Sequence, residues 1–261
     1  VKFEDLQFTK IPVIVSYGGG VNSTAMLVEL VRRKMRVDLI LFANTGGEKP
    51  ETYEYVSIFS DWLKENGYPE VTVVQAKYKK EPITLEEKCR TRDTIPSLAF
   101  GMKRCSIDFK KIPCERFVSK WWPAKVAWKR GVVAKYIGID ADESHRAKGF
   151  SQDAKYDYFY PLIEWDWGRE DCVEAIEDAG LPSPPKSSCF FCPAMKKKEI
   201  IELRDKHPDL LQRALEMEER AMPSLHSIKG LGRYFSWREF LKNPEKYEQR
   251  SIEIDCECFD G

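Results

Sequence analysis

Ser16-Tyr17-Gly18-Gly19-Gly20-Val21-Asn22-Ser23-Thr24 is the stretch on which the reading of this chain turns. Ile11-Pro12-Val13-Ile14-Val15 precedes it, an apolar and largely β-branched run of the kind that parallel sheets bury on both faces. Ala25 to Lys34 follows it with helical periodicity and ends in Arg32-Arg33-Lys34, cations suited to a helix C-terminus. Three glycines at a strand-to-helix junction leave backbone N–H groups unobstructed at the positive end of a helix, which makes a phosphate cradle. Asn22, Ser23 and Thr24 are placed to cap that helix or to touch a phosphate oxygen. No Gly-Lys-Ser/Thr follows, so the loop is not a Walker P-loop. The third glycine of the dinucleotide fingerprint is also missing.

Working outward, Val37–Ala43 reads as a second strand, and Asn44-Thr45-Gly46-Gly47-Glu48-Lys49-Pro50 leads into a helix that Gly67 ends. Val71–Ala76 is a third strand. Two strand–helix–strand units in succession predict a doubly wound, mostly parallel α/β sheet, with ligands beyond the carboxyl ends of its strands. The Gly-rich loop and Asn44-Thr45-Gly46 both fall there. Residues 77–113 read as irregular and basic, followed by helical segments at 112–122 and 123–130. Val132–Ile139 reads as a further strand, ending in the charged loop Asp140-Ala141-Asp142-Glu143-Ser144-His145-Arg146. Residues 150–160 read as a loop, with Trp165 and Trp167 expected at the edge of the substrate site. Residues 168–179 form a helix stopped by Gly180. The Pro-rich connector 181–185 then suggests a nucleotide-binding unit over 1–186 and a Cys-x-x-Cys segment with a helical appendage over 187–261.

The 261 residues carry 42 basic and 42 acidic side chains, so no global field marks the chain as a nucleic-acid binder. No apolar run is long enough to span a membrane and no signal peptide pattern is present, so a soluble, cytoplasmic protein is expected. Eight cysteines in a reducing compartment suggest metal ligands, redox groups or buried small hydrophobes. Cys189-x-x-Cys192 with Pro193 favours a metal site, with Cys89 and Cys105 as the partners that complete four thiolates. Zinc and a [4Fe–4S] cluster both accept such a set. Cys114 and Cys172 fit as packed thiols, and the three histidines as solvated side chains.

Several of these segments resemble one family, the PAPS-reductase-like branch of the PP-loop ATP pyrophosphatases. Gly18-Gly19-Gly20-Val21-Asn22-Ser23 resembles its Ser-Gly-Gly-x-Asp-Ser loop, with Gly18 for the first Ser and Asn22 for the Asp. Asn44-Thr45-Gly46 with Pro50-Glu51-Thr52 is similar to its Asp-Thr-Gly…Pro-Glu-Thr element, and Cys105 to Pro113 to its Cys-x-x-x-x-Lys-x-x-Pro element. Gly138 to Arg146 resembles Gly-x-Arg-x-x-Glu-Ser-x-Arg, with Asp140 in the place of the first arginine. Pro161–Trp165 and Ser188–Pro193 match later segments, and the likeness spans about residues 12–195.

The resemblance implies an ATP site, with Mg²⁺, made by Ser16, Gly18, Gly19, Gly20, Asn22, Ser23, Thr24, Asn44, Thr45, Gly46, Gly138, Glu143 and Ser144. It implies charge neutralisation by Lys110, Lys111 and Arg146, and it moves the four-cysteine site towards a [4Fe–4S] cluster. The expected activity is adenylylation of a substrate, a nucleic acid or nucleotide, for sulfur transfer. A cysteine desulfurase or thioredoxin-like protein is the expected sulfur donor, and the oligomeric state is left open. The runners-up are an adenylyl-sulfate reductase with Cys258 as its tail thiol, echoed by Glu257-Cys258, and a catalytically silent nucleotide binder with structural zinc.

Overall fold

The computed structural model describes residues 2–97, 103–149 and 154–248. Its centre is a five-stranded sheet in the order β3-β2-β1-β6-β7, with every neighbouring pair parallel. The strands are β1 (Val13–Ser16), β2 (Leu39–Asn44), β3 (Val71–Gln75), β6 (Val133–Ile137) and β7 (Tyr156–Phe159). Between β3 and β6 a small antiparallel hairpin intervenes, β4 (Lys77–Tyr78) with β5 (Glu81–Pro82). The chain runs outward from β1 through β2 to β3, then returns to β6 on the other side of β1. The topological switch point therefore lies between β1 and β6, and the loops after both strands open there.

Helices cover both faces, as a parallel sheet requires. One face carries α1 (Val21–Arg32), α2 (Pro50–Glu65), α7 (Pro161–Glu164) and α8 (Arg169–Asp178); Val13, Val15, Met26, Leu30, Phe59, Tyr136 and Ile176 pack there. The other carries α5 (Ile112–Val118) and α6 (Trp122–Ala127), where Ile14, Leu41, Val74, Cys114 and Val118 meet. Cys114 and Cys172 are packed thiols, as expected.

A third apolar cluster lies off the sheet. It joins α3 (Leu85–Arg92) and the segment after α4 (Arg104–Ser106) to α9 (Lys197–Lys206), α10 (Pro208–Ala221) and α11 (Trp237–Lys242). A last short helix, α12 (Glu245–Glu248), closes the described chain. The C-terminal helices thus share their core with residues 76–109 rather than resting on the sheet alone. Two polar clasps accompany that core. Arg213 forks onto the buried Glu86, and the buried Glu218 accepts N–H groups from Leu231, Trp237 and Arg238 at 2.8, 2.9 and 3.2 Å.

Four sequence expectations are corrected. The described residues of 77–113 are not wholly irregular: they hold the hairpin, α3, α4 and a π turn (Ile107–Lys111) that runs into α5. α3 starts with a capping box in which Thr84 and Glu87 bond reciprocally, a Thr-x-x-Glu signal present in the sequence. Residues 156–159 are a strand, not a loop. This edge strand has one polar residue, Asp157, among three aromatic ones and is paired with β6. Trp165 does not edge the site; it sits 4.6 Å from the Arg33 guanidinium, at the far end of α1 from the glycine loop. His207, expected to be solvated, is paired with Glu51 at 3.1 Å. Among the described residues no helix is long and apolar enough to cross a membrane.

Candidate functional site

Tyr17, the residue after β1, is buried among Phe42 and Phe59 and anchors the glycine loop from below. Gly19 has φ +74°, the left-handed region, and a Cβ there would meet the Phe42 ring at 3.3 Å. Gly20 is the N-cap of α1, so Asn22, Ser23 and Thr24 lie inside the first turn and are not its caps. The helix starts earlier than the sequence suggested, because the extended Gly20 backbone already turns the chain. Ser23 and Thr24 both donate to the Gly20 carbonyl, at 3.2 and 2.8 Å, and Ser23 Oγ accepts the Gly18 N–H at 3.2 Å. These hydroxyls hold the loop's shape, while the first-turn N–H groups of α1 have no preceding helical carbonyl to bond. Only that of Thr24 finds one, at Gly20. The loop is a preformed anion cradle at the positive end of a twelve-residue helix.

Gly138, just beyond β6, closes the crevice from the other side. A Cβ at Gly138 would stand 2.8 Å from Ser23 N and Cα, so β6 approaches α1 as closely as only glycine permits. Two of the residues that differ from the motifs they resemble, Asn22 and Asp140, are neighbours. Asn22 Nδ2 donates to Asp140 Oδ2 at 2.8 Å, and Asn22 Oδ1 accepts from Arg169 Nη1 at 2.9 Å. Asp140 is buried, and its other oxygen accepts the Glu143 N–H at 2.9 Å, opening the 3₁₀ helix Ala141–Gly149. A neutral amide is the group that satisfies a carboxylate on one side and a guanidinium on the other. Asn22→Asp is expected to put two carboxylates within hydrogen-bonding distance and lower stability by about 1–3 kcal/mol at neutral pH. One of the pair then titrates above its unfolded value of roughly 4, so the gap to the native protein closes as the pH falls towards that value. Thermal melts of both proteins across pH check this; parallel melting curves at every pH refute it.

The remaining predicted residues divide into two groups. Arg146 lies three residues from Glu143 and bonds it at 2.5 Å, and Ser144 is exposed on the same 3₁₀ helix. Lys110 reaches the glycine loop: with Tyr17, Gly18, Leu41 and Cys114 it lines a small cavity at the ends of β1 and β2. Lys111, its neighbour on the π turn, is exposed. Asn44 is spent within its own loop, where Oδ1 accepts from Gly46 N at 2.7 Å and Tyr53 Oη at 2.9 Å. Gly46 has φ +71° and abuts Thr84, at the start of α3.

The segment 187–191 ties these loops to the cysteines. Ser187 Oγ donates to the Gly18 carbonyl at 2.5 Å. Cys189 forms a β-bridge with Glu48, its Sγ stands 3.2 Å from Thr45 Oγ1, and Phe190 N donates to Gly47 O at 2.7 Å. Sequence reading marked Cys189 but not Ser187 or Thr45 as its link to the loops. A hydroxyl two residues before a Cys-x-x-Cys is the only signal the chain offers.

Cys89, Cys105 and Cys189 share the third apolar cluster. Cys192 closes a turn on Cys189, its N–H donating to the Cys189 carbonyl at 3.0 Å. Burial pushes the Cys89 thiol up to about 12, with Cys105 adding to the effect. Burial also raises Cys189 well above the ordinary thiol value, followed by the Glu48 carboxylate beside it. Burial thus favours the neutral thiol at Cys89 and Cys189, and a bound cation would favour the thiolate. The donor set fits a soft metal or cluster in chemical type. Among the described residues, however, no three His, Cys, Asp or Glu side chains form a ready-made metal-holding group. Cys256 and Cys258 lie outside the described residues.

No protein-family model matches the chain, and no curated protein does. Among solved structures it is similar to the U34-tRNA thiolase NcsA from Methanococcus maripaludis with its [4Fe-4S] cluster. The TM-score is 0.49 and the identity 16%, over 85% of this chain and 76% of that one. The α/β assignment stands on the sheet order itself.

Proposed function

We propose that this protein is a PP-loop ATP pyrophosphatase that adenylylates a nucleic acid or nucleotide for sulfur transfer, with four cysteines holding an iron–sulfur cluster. One observation supports the reading: Ser187 bonds the Gly18 carbonyl of the glycine loop and Cys189, two residues on, touches Thr45 and Glu48, so a triphosphate on that loop would lie near the strap that carries Cys189. In this reading Mg·ATP lies with its phosphates on the first-turn N–H groups of α1 and its charge offset by Lys110 from the π turn. An acceptor oxygen attacks the α-phosphorus, the α–β bridge breaks, and pyrophosphate leaves while the acceptor keeps AMP. A sulfur nucleophile from a donor protein then attacks the activated carbon and AMP departs. Arg169 and the Asn22 amide, at the mouth of the loop, keep the first turn of α1 fixed against Asp140 during these steps.

Cys89, Cys105, Cys189 and Cys192 are the residues that would hold the cluster. When bound, it supplies a site where reduced sulfur is kept away from water. Anaerobic purification followed by iron and labile-sulfide analysis tests this part. Iron and sulfide are expected in the native protein and absent from Cys189→Ala, whereas stoichiometric zinc with neither would make the site structural.

Pyrophosphate release from ATP, with and without RNA, DNA and nucleotide acceptors, tests the activity. Release that rises with one acceptor class is the expected result. Silence with all of them points to a nucleotide-binding protein without turnover, and sulfite formed from an adenylyl-sulfate points to a reductase.

A further inference from the structure

A second cavity, of about 340 Å³, lies away from the glycine loop, between the β4–β5 hairpin, α3 and the start of α5. That volume is at the lower end of the range of small-molecule sites. Its floor is apolar, made by Ile83, Phe109 and Ile112, and one wall is the Tyr78 ring, which is 55% exposed. Four cationic residues and one carboxylate line it. The carboxylate, Asp108, is already held by Lys88 at 2.7 Å and by Arg104 at 3.0 Å. Lys77, Arg92 and Arg116 are exposed and make no ion pair among the described residues. A patch of this sign on a chain of zero formal net charge is a local arrangement and not a by-product of composition.

The hairpin tip extends the patch. Lys79 and Lys80 both adopt positive φ, 48° and 76°, in a two-residue turn that Asn and Gly make more readily. Local strain that places two further ammonium groups beside an aromatic-walled cavity suggests function rather than accident.

The hairpin that walls the groove leaves the sheet at the same carboxyl edge as the glycine loop, since Asn44 and Gln75 pair at the ends of β2 and β3. β3 is the second strand from β1, roughly 10 Å away at sheet spacing. The π turn serves both places: Lys110 lines the cavity at Gly18, and Asp108 and Phe109 line the groove.

We propose that this groove binds a single-stranded nucleic acid, with one unstacked base against Tyr78 over the apolar floor and the flanking phosphates on Arg92, Arg116 and the hairpin lysines. Lys79 Nζ stands over one side of the exposed Tyr78 ring, 5.5 Å from its centroid; an exposed ring flanked by cations suits a splayed-out base, which a duplex does not present. That the seated strand is the acceptor rests on the function proposed above; the groove itself does not.

The test is fluorescence anisotropy of the full chain with short labelled single-stranded RNA and DNA over a salt series. Arg92→Ala with Arg116→Ala is expected to weaken binding by at least tenfold at low salt and to reduce the salt slope by about 2. Tyr78→Ala is expected to cost about tenfold and Tyr78→Phe to restore it. All three residues are exposed, and melting curves verify that the variants fold. No binding of either oligonucleotide, or an unchanged affinity and slope in the double variant, overturns the proposal. So does displacement of the oligonucleotide by a mononucleotide whose own binding Tyr78→Ala abolishes. Strand binding that depends on Arg92 and Arg116 in a protein that releases no pyrophosphate would keep the groove and remove the proposed activity.

Discussion

Glu218→Ala is expected to lower stability by about 3 kcal/mol or more, through backbone groups rather than lost packing. The carboxylate is 1% exposed and takes three N–H groups from two separate stretches of chain, Leu231 and the start of α11. Removing it leaves those donors without an acceptor, and a buried unsatisfied group costs roughly 1–3 kcal/mol. Gly230, where a Cβ would stand 2.3 Å from Glu218 Oε1, shows how tightly the loop is wrapped on this oxygen. At about 2–4 °C per kcal/mol for a chain of this size class, a fall in Tm of roughly 6–12 °C follows. Glu218→Gln keeps one acceptor oxygen and is expected to recover about half of the loss, since its NH₂ turns a donor towards a donor. Hydrogen exchange over α10 and α11 locates the damage. Exchange that rises equally across the sheet would show that the clasp is not the cause.

The second large effect is expected at Gly138. A methyl group there meets backbone, Ser23 N and Cα at 2.8 Å and Asn22 C at 3.1 Å, so no side-chain rotation relieves it. The end of β6 and the first turn of α1 must part at the switch-point crevice. Overpacking of this kind costs about 1–3 kcal/mol. The larger consequence falls on ligand geometry, because a displacement of about 1 Å at a positioned site can cost a factor of about 100. ATP affinity by calorimetry, with pyrophosphate release beside it, is the measurement. Gly131→Ala is the control, since the nearest atom to its added methyl is Ala127 O at 4.0 Å. Equal ATP affinity in the Gly138→Ala and Gly131→Ala proteins would detach Gly138 from the site.

The central strands were legible because burial on both faces demands uninterrupted apolar residues. Val13-Ile14-Val15 and Leu39–Ala43 carry that demand openly, and Val133–Ile137 does so apart from the buried Lys135. β7 sits at an edge where the demand lapses, so Tyr156-Asp157-Tyr158-Phe159 looked like a loop. α3 is a different case: its Thr84–Glu87 box was readable, and the surrounding charge obscured it. At the site, composition announced the glycines and the Cys-x-x-Cys pair. It did not announce that Asn22 and Asp140 are partners, because the two are 118 positions apart and the bond depends on β6 returning beside β1. Each residue alone looks like a lost family feature. Together they are one hydrogen-bonded unit with Arg169.

The strap from Ser187 to Phe190 has a thermodynamic consequence. It is hydrogen-bonded to the glycine loop at Gly18, touches the β2 loop at Thr45, Gly47 and Glu48, and carries one of the thiols. Occupancy at either end that orders this strap lowers the entropy left to lose at the other. Whatever factor a triphosphate adds to metal retention, the metal must return in triphosphate affinity, because linkage between two binding equilibria is reciprocal. In the function proposed above, this strap would couple the cysteine site to the glycine loop.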